Sequence, residues 1–220
     1  TRLDDAQAVI EDIRQGRPNH AVVVGGGMIG IKAVEGLTKR GIPVTVVELA
    51  PRILTAALDQ TACDLLTGVL NEHGVTVLTE NTVTEVLADE QSTPEAGSAD
   101  DQPARPRVSA VALKDGRRLP CDLLIFGIGV RPNASLAQEA GIKVNRGIVV
   151  DEFMCTSARD VYAAGDVAEA YDLVVDMNRV VAIWPNAYRQ GAIAGAHMVG
   201  FSRPDRGGVA MNTVDVCGIP

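Results

Sequence analysis

The segment Gly25-Gly26-Gly27-Met28-Ile29-Gly30 carries the pattern Gly-x-Gly-x-x-Gly. Where side chains are missing, backbone can approach a pyrophosphate, and a helix that starts there offers it free N–H donors. The pattern alone also fits a merely tight turn, so its setting decides. Ala21-Val22-Val23-Val24 precedes it as an unbroken apolar run, and Ile29, Ile31, Val34 and Leu37 follow on one side of a helix. A buried strand, a glycine turn and an amphipathic helix together point to dinucleotide binding. Glu48 closes the next apolar run 23 residues after Gly25, near the offset at which a carboxylate accepts hydrogen bonds from the adenosine ribose hydroxyls. Its charge repels a 2′-phosphate and favours NAD(H) over NADP(H). Arg52, four residues on, either binds such a phosphate if its loop turns inward or stays a solvated surface residue. Gly127 and Gly129 follow another apolar run, at the edge where ligands of open α/β sheets bind and where they would flank the cofactor; their plainer reading is a strand-exit turn.

The elements that must position these residues follow from the hydrophobic pattern. Residues 4–15, with Ala6, Val9, Ile10 and Ile13 at helical spacing, predict an amphipathic helix closed by Gly16. Strand 21–24, helix 28–40 and strand 44–48 then form a compact βαβ unit, with Gly41-Ile42-Pro43 ending the helix. A second helix over 59–73, striped by Leu58, Leu65, Leu66, Val69 and Leu70 and stopped by Gly74, leads to strand 75–78. The alternation favours a parallel sheet. From Thr82 the pattern shifts to Val83, Val86 and Leu87, then Val108, Val111 and Leu113 with an Asp115-Gly116 turn, which predicts an antiparallel meander. Between its arms, 90–106 is rich in Ser, Pro, Ala, Gly and Asp and reads as a flexible surface loop. Beyond it come strand 123–126, a helix over 135–140, strands 148–150 and 161–164, and a last helix over 186–199.

Composition narrows the function. The 220 residues are 46% hydrophobic, enough for one good core or two small ones, and the net charge of -8 argues against a nucleic-acid partner. With 3% aromatic residues there is no base-stacking platform. No apolar run approaches the ~20 residues of a membrane helix, and the first residues lack the pattern of a signal peptide, so a soluble cytoplasmic protein with no membrane partner is expected. Cys63, Cys121, Cys155 and Cys217 lie far apart, as do His20, His73 and His197. Neither set has metal-ligand or redox-dithiol spacing, so no metal is expected, and each histidine reads as a surface or capping residue.

Four segments in order, Val22-Val23-Val24-Gly25-Gly26-Gly27-Met28-Ile29-Gly30, Val44-Thr45-Val46-Val47-Glu48, Gly127-Ile128-Gly129-Val130-Arg131-Pro132-Asn133 and Thr156 through Asp166, make nearly the whole chain resemble the pyridine nucleotide-disulphide oxidoreductase family. The resemblance implies an α/β fold: a Rossmann-like NAD-binding domain, its parallel sheet joined by helices and an antiparallel β-meander, plus a partial FAD-binding lobe. It implies a helix and linker from the FAD domain over 1–19, the NAD(H)-binding domain over 20–146, the C-terminal part of the FAD-binding domain over 147–200, and the start of an interface domain over 201–220. Gly165 and Asp166 belong to the segment that binds FAD in the family, with Asp166 on the flavin ribityl chain; on its own, Asp166 reads as a helix N-cap. The stretch Trp184 to Gly191, with Ala187, would start a helix aimed at the isoalloxazine, where partial positive charge stabilises an anionic reduced flavin. Its Trp184-Pro185 form resembles the NADH oxidase, nitrite reductase and rubredoxin reductase branch.

The implied activity is hydride transfer from NADH to FAD and onward to an electron acceptor, either a small molecule or a small redox protein, in a full-length homodimer. Members of the family begin with a separate FAD-binding glycine motif a domain-sized distance upstream. The chain therefore reads as a fragment that is itself inactive, binds NADH weakly and holds FAD poorly. A flavin-independent NAD dehydrogenase and a non-catalytic NAD(H)-sensing module are the competing readings. Lys32 stands where many relatives carry Glu, and Met28 where they carry Tyr; Lys32 either inverts the local charge or points to solvent.

Overall fold

The computed structural model describes residues 3–89, 107–211, 213 and 215–218, so the loop expected over 90–106 lies outside the described residues. The chain divides into two compact units, Thr1–Gly129 with Val214–Pro220, and Val130–Thr213.

In the first unit, helix α1 (Leu3–Arg14) precedes strand β1 (Ala21–Val24), helix α2 (Met28–Thr38), strand β2 (Val44–Val47), helix α3 (Gln60–Glu72) and strand β3 (Thr76–Leu78). Strands β4 (Val83–Ala88), β5 (Val108–Leu113), β6 (Arg118–Pro120) and β7 (Leu123–Phe126) follow. The parallel sheet has the order β3-β2-β1-β7. Strand β1 is central and buried along its whole length, so every one of its side chains must be apolar. Its alternation serves two cores. Ala21 and Val23 pack with Ile31, Val34, Leu66 and Leu70 on the helical side. Val22 and Val24 pack with Val111, Leu113 and Cys121 of the antiparallel β4-β5-β6 meander on the other. Gly116, at φ +88°, makes the turn between β5 and β6.

Register fixes which residues crown the sheet. Val24 is paired with Val47 on one side and Phe126 on the other, so Gly25, Glu48 and Gly127 leave three adjacent strands at the same level of the carboxyl edge. Asp122 secures the opposite edge by accepting from the backbone N–H groups of Asn19 (2.8 Å) and His20 (2.9 Å). These bonds outweigh burial and hold its carboxyl below the usual aspartate range.

The second unit contains α4 (Ser135–Glu139), β8 (Ile148–Val149), a 3-10 turn at Gly165–Val167, β9 (Ala168–Asp172), β10 (Met177–Arg179) and α5 (Trp184–Met198). Its sheet has the order β10-β9-β8, with β8 parallel and β10 antiparallel to β9. Ile193 and Ala194 of α5 share a small core with Val150, Met154, Ala163, Ala168 and Ala170.

Several expectations change. Residues 161–164, read as a strand, form only a single bridge, Tyr162 to Cys155; among the described residues no second strand extends the ladder. Ile29 is 62% and Leu65 68% exposed although both were assigned to apolar stripes. The sheet meets a narrower arc of each helix than the apolar residues span. Helix α1 has the predicted spacing, yet none of its residues is buried, and only Ile13 touches the core.

Candidate functional site

The Gly25–Gly30 turn is built on backbone crossings that leave no room for side chains. Gly25 has φ +102°, and a Cβ there would meet the Gly127 carbonyl oxygen at 2.5 Å. At Gly30 a Cβ would lie 1.9 Å from the Gly25 oxygen, and at Gly127 one would lie 2.9 Å from the Gly30 Cα. These three glycines therefore form one contact in which the turn, the first turn of α2 and the exit of β7 touch. Gly27 and Gly129 differ: space around them is open, and Gly129 is a glycine for its φ of +93°.

Gly26 is tied by both of its backbone groups. Its N–H donates to Glu48 Oε2 at 2.5 Å, and its carbonyl accepts from Leu54 N–H at 2.8 Å. Glu48 Oε1 accepts from Ala50 N–H at 2.7 Å, so one carboxylate links the glycine turn to the exit of β2. A carboxylate oxygen has acceptor capacity beyond one such bond, which leaves half-buried Glu48 able to take ribose hydroxyls. Arg52 is half-buried. Its Nη1 donates to Gln60 Oε1 at 3.0 Å, and its Nε is buried with no partner among the described residues, so it is not a fully solvated surface residue.

The start of α2 carries the electrostatic case. Its N-cap, Gly27, has no side chain to accept from the first-turn N–H groups. By contrast, α3 is capped in the ordinary way, with Asp59 accepting from Ala62 N–H at 2.9 Å. An uncapped helix start with open space beside Gly27 suits an anion whose oxygens complete those donors. Met28 turns partly into the helical core, while Ile29 stays exposed.

In the second unit, Gly165 has φ +80°, and a Cβ added there would meet the Ala187 Cβ at 3.3 Å. The next residue, Asp166, is exposed, and its carboxylate has no hydrogen bond or ion pair among the described residues. Helix α5 starts with Trp184 and Pro185 and has no side-chain cap. A free carboxylate and a free helix start meet the needs of a polar chain and an electron-rich ring. Gly25, Gly26, Gly30, Glu48 and Gly127 thus come together in the first unit, and Gly165, Asp166 and Ala187 in the second, while Arg52 and Gly129 lie outside that contact.

A family model described as pyridine nucleotide-disulphide oxidoreductase matches residues 1–191. The chain belongs to the pyridine nucleotide-disulphide oxidoreductase family. It is 34% identical over 204 residues to the nitrite reductase [NAD(P)H] of Bacillus subtilis (strain 168), covering 90% of this chain and 22% of that protein. A FAD-dependent pyridine nucleotide-disulphide oxidoreductase from Desulfovibrio vulgaris shares 30% identity at a TM-score of 0.77, over 94% of this chain and 49% of the other. Putidaredoxin reductase, solved as its covalent complex with putidaredoxin, shares 30% identity at a TM-score of 0.81, over 94% and 46%. The chain spans less than half the length of each of these relatives.

One feature of this family member comes from its own residues. Lys32 does not simply point to solvent: its Nζ pairs with the Glu35 carboxylate and donates to the Asp215 carbonyl at 2.9 Å. Lys39 takes the other Glu35 oxygen at 2.6 Å. The Lys32 and Lys39 ammonium groups hold the Glu35 carboxyl below the usual glutamate range although the residue is only 3% exposed. The charge that Lys32 adds to α2 is therefore met within the helix. Among the histidines, His73 caps the end of α3 and His20 bonds Thr45 Oγ1 at 3.0 Å. Among the described residues no group of three or more His, Cys, Asp or Glu side chains converges as a metal site, and no helix is long and apolar enough to cross a membrane.

Sequence reasoning assigned no role to Gln190, which accepts from Gly165 N–H at 2.8 Å. The available signal was a polar residue between Ala187 and Ala194 on the inward stripe of the helix.

Proposed function

We propose that this chain is the NADH-binding part, with a portion of the FAD-binding part, of a FAD-dependent NAD(P)H oxidoreductase that passes electrons to a small molecule or a small redox protein. In this reading residues 20–146 form the NAD(H)-binding domain and 147–200 the C-terminal part of the FAD-binding domain, with 1–19 leading in and 201–220 leading out. Packing divides the chain earlier, at Gly129, because Lys143 and Val144 bond and bridge to Ser157 and Ile148.

The observation that carries the proposal is the uncapped start of α2 above the Gly25-Gly30-Gly127 contact. Gly25, Gly26 and Gly27 let the pyrophosphate approach, and the N–H groups of Met28 and Ile29 bind it. Glu48 accepts from the adenosine ribose and disfavours a 2′-phosphate, with Arg52 beside it. Gly127 and Gly129 border the same edge. In the second unit Gly165, Asp166 and Ala187 would hold and orient a flavin, which would supply the site's capacity to take hydride from NADH. The protein's own work is binding, orientation and placement of partial charge. The names of the relatives support NAD(P)H and FAD as the cofactor pair. The covalent complex of one of them supports a small redox protein as one class of acceptor.

Calorimetric titration of the chain with NADH and with NADPH, together with flavin quantitation on the full-length protein, tests this. NADH binding with a clear preference, and flavin in the full-length protein, are expected. NADH binding without flavin in the full-length protein would replace the proposal with a sensing module, or with a flavin-independent dehydrogenase if the protein oxidises NADH.

A further inference from the structure

We infer that Gln190 is the positioning residue that ties the turn bearing the Asp166 carboxylate to α5; this rests on the flavin reading above. Gln190 is 5% exposed, and a buried amide is costly unless it is partnered. Its partner is Gly165 N–H, which donates to Oε1 at 2.8 Å. A backbone N–H can only donate, so the amide oxygen must face Gly165 and the NH2 group must face away.

Two separate constraints from α5 thus converge on one glycine. Gln190 bonds its N–H, and Ala187, three residues earlier on the same helix face, fills the space beside its Cα. Gly165 itself sits at φ +80°, a conformation glycine adopts freely, and its carbonyl accepts from Ala168 N–H to close the 3-10 turn. That following residue is Asp166, which points outward and has no partner of its own among the described residues. The bond to Gln190 thus anchors to α5 the turn from which the carboxylate extends. The same helix that carries this bond begins with the uncapped turn at Pro185. Gln190 therefore couples two groups offered to one ligand, a carboxylate and a helix start, and keeps them in register without touching the ligand's reacting atoms.

The test is FAD affinity of the full-length apoprotein, followed by flavin absorbance and fluorescence, for Gln190→Met, Gln190→Glu, Asp166→Asn and the double variant Gln190→Met with Asp166→Asn. Gln190→Met keeps length and removes the acceptor; it is expected to weaken FAD binding about tenfold, the scale of one lost hydrogen bond. Gln190→Glu keeps an acceptor for Gly165 N–H and is expected to bind FAD within about threefold of wild type. Because Gln190 acts through Asp166, Gln190→Met should change affinity less than about twofold in the Asp166→Asn background, a non-additivity that general loosening of the fold would not produce. FAD binding by Gln190→Met at the wild-type level, or an undiminished effect in the Asp166→Asn background, overturns the inference while leaving the flavin reading standing. Should Gln190→Met not fold, Gln190→Glu decides, with a tenfold loss counting against the inference. A wild-type protein that binds no FAD overturns both.

Discussion

The Gly30 Cα faces the Gly25 carbonyl so closely that a methyl group on it would sit 1.9 Å from that oxygen. Gly30→Ala therefore cannot be absorbed by a rotamer change, because the obstacle is backbone. Overpacking of this kind costs about 1–3 kcal/mol, and the relief must come from moving the turn or α2. We expect a lower melting temperature and at least tenfold weaker NADH binding, measured by thermal unfolding and calorimetry. Gly27→Ala, where space is open, should keep the fold; unchanged NADH affinity in Gly30→Ala would contradict the crossing.

Glu48 joins the Gly26 and Ala50 N–H groups through its two carboxylate oxygens. Glu48→Ala removes both acceptors and the negative charge in one step. The ratio of NADPH to NADH dissociation constants should fall by roughly tenfold, mainly through weaker NADH binding. A ratio that does not move would assign cofactor choice to another group, with Arg52 first in line.

Asp59 caps α3 by accepting from Ala62 N–H and bonds none of the glycine-turn residues in the structure. Asp59→Ala should cost about 1 kcal/mol in chemical denaturation, the usual value of a lost N-cap, with NADH affinity unchanged. A change in affinity would show that α3 is coupled to the site.

Glu35 supplies a pH dependence whose sign follows from its ion pairs. Its folded-state pKa is lowered, chiefly by Lys32 and then by Lys39, from an ordinary value of 4.5. The unfolded state thus binds the proton more readily, and the stability Glu35 contributes is present above that value and lost as pH falls through the lower folded pKa. The stability margin of wild type over Glu35→Gln should be constant near neutrality and shrink below about pH 4.5. Denaturation midpoints taken at intervals from pH 7 to the acid limit of the fold measure it. A margin that grows on acidification would refute the assignment.

Local pattern was enough for much of the fold. The unbroken apolar run at 21–24 announced a strand buried on both faces, and β1 is that strand. Asp59, Gly74 and the Asp115-Gly116 pair marked a helix start, a helix stop and a turn where each occurs, because caps and positive-φ turns are chosen by neighbours in sequence. The glycine motif was legible for the same reason: its spacing is set by one strand, one turn and one helix. Its third point of contact, Gly127, was placed at the right edge, but its backbone contact with Gly25 and Gly30 was not readable across a hundred residues.

What only the tertiary structure decided depends on groups distant in sequence. Periodicity assigned Ile29 and Leu65 to inward stripes, yet how much of a helix is covered depends on the width of what lies beneath it, and both are exposed. Residues 161–164 have strand composition, but a ladder needs a neighbour, and they keep one bridge. Lys32 was a charge of unknown direction until the chain brought Asp215 to its ammonium, and Gln190 was one polar residue in a helix until Gly165 met its oxygen. The sequence by itself determined the elements and the glycine turn, since these rest on bonds between near neighbours. Partners for buried polar groups were settled by folding, because a donor and its acceptor can lie anywhere along the chain.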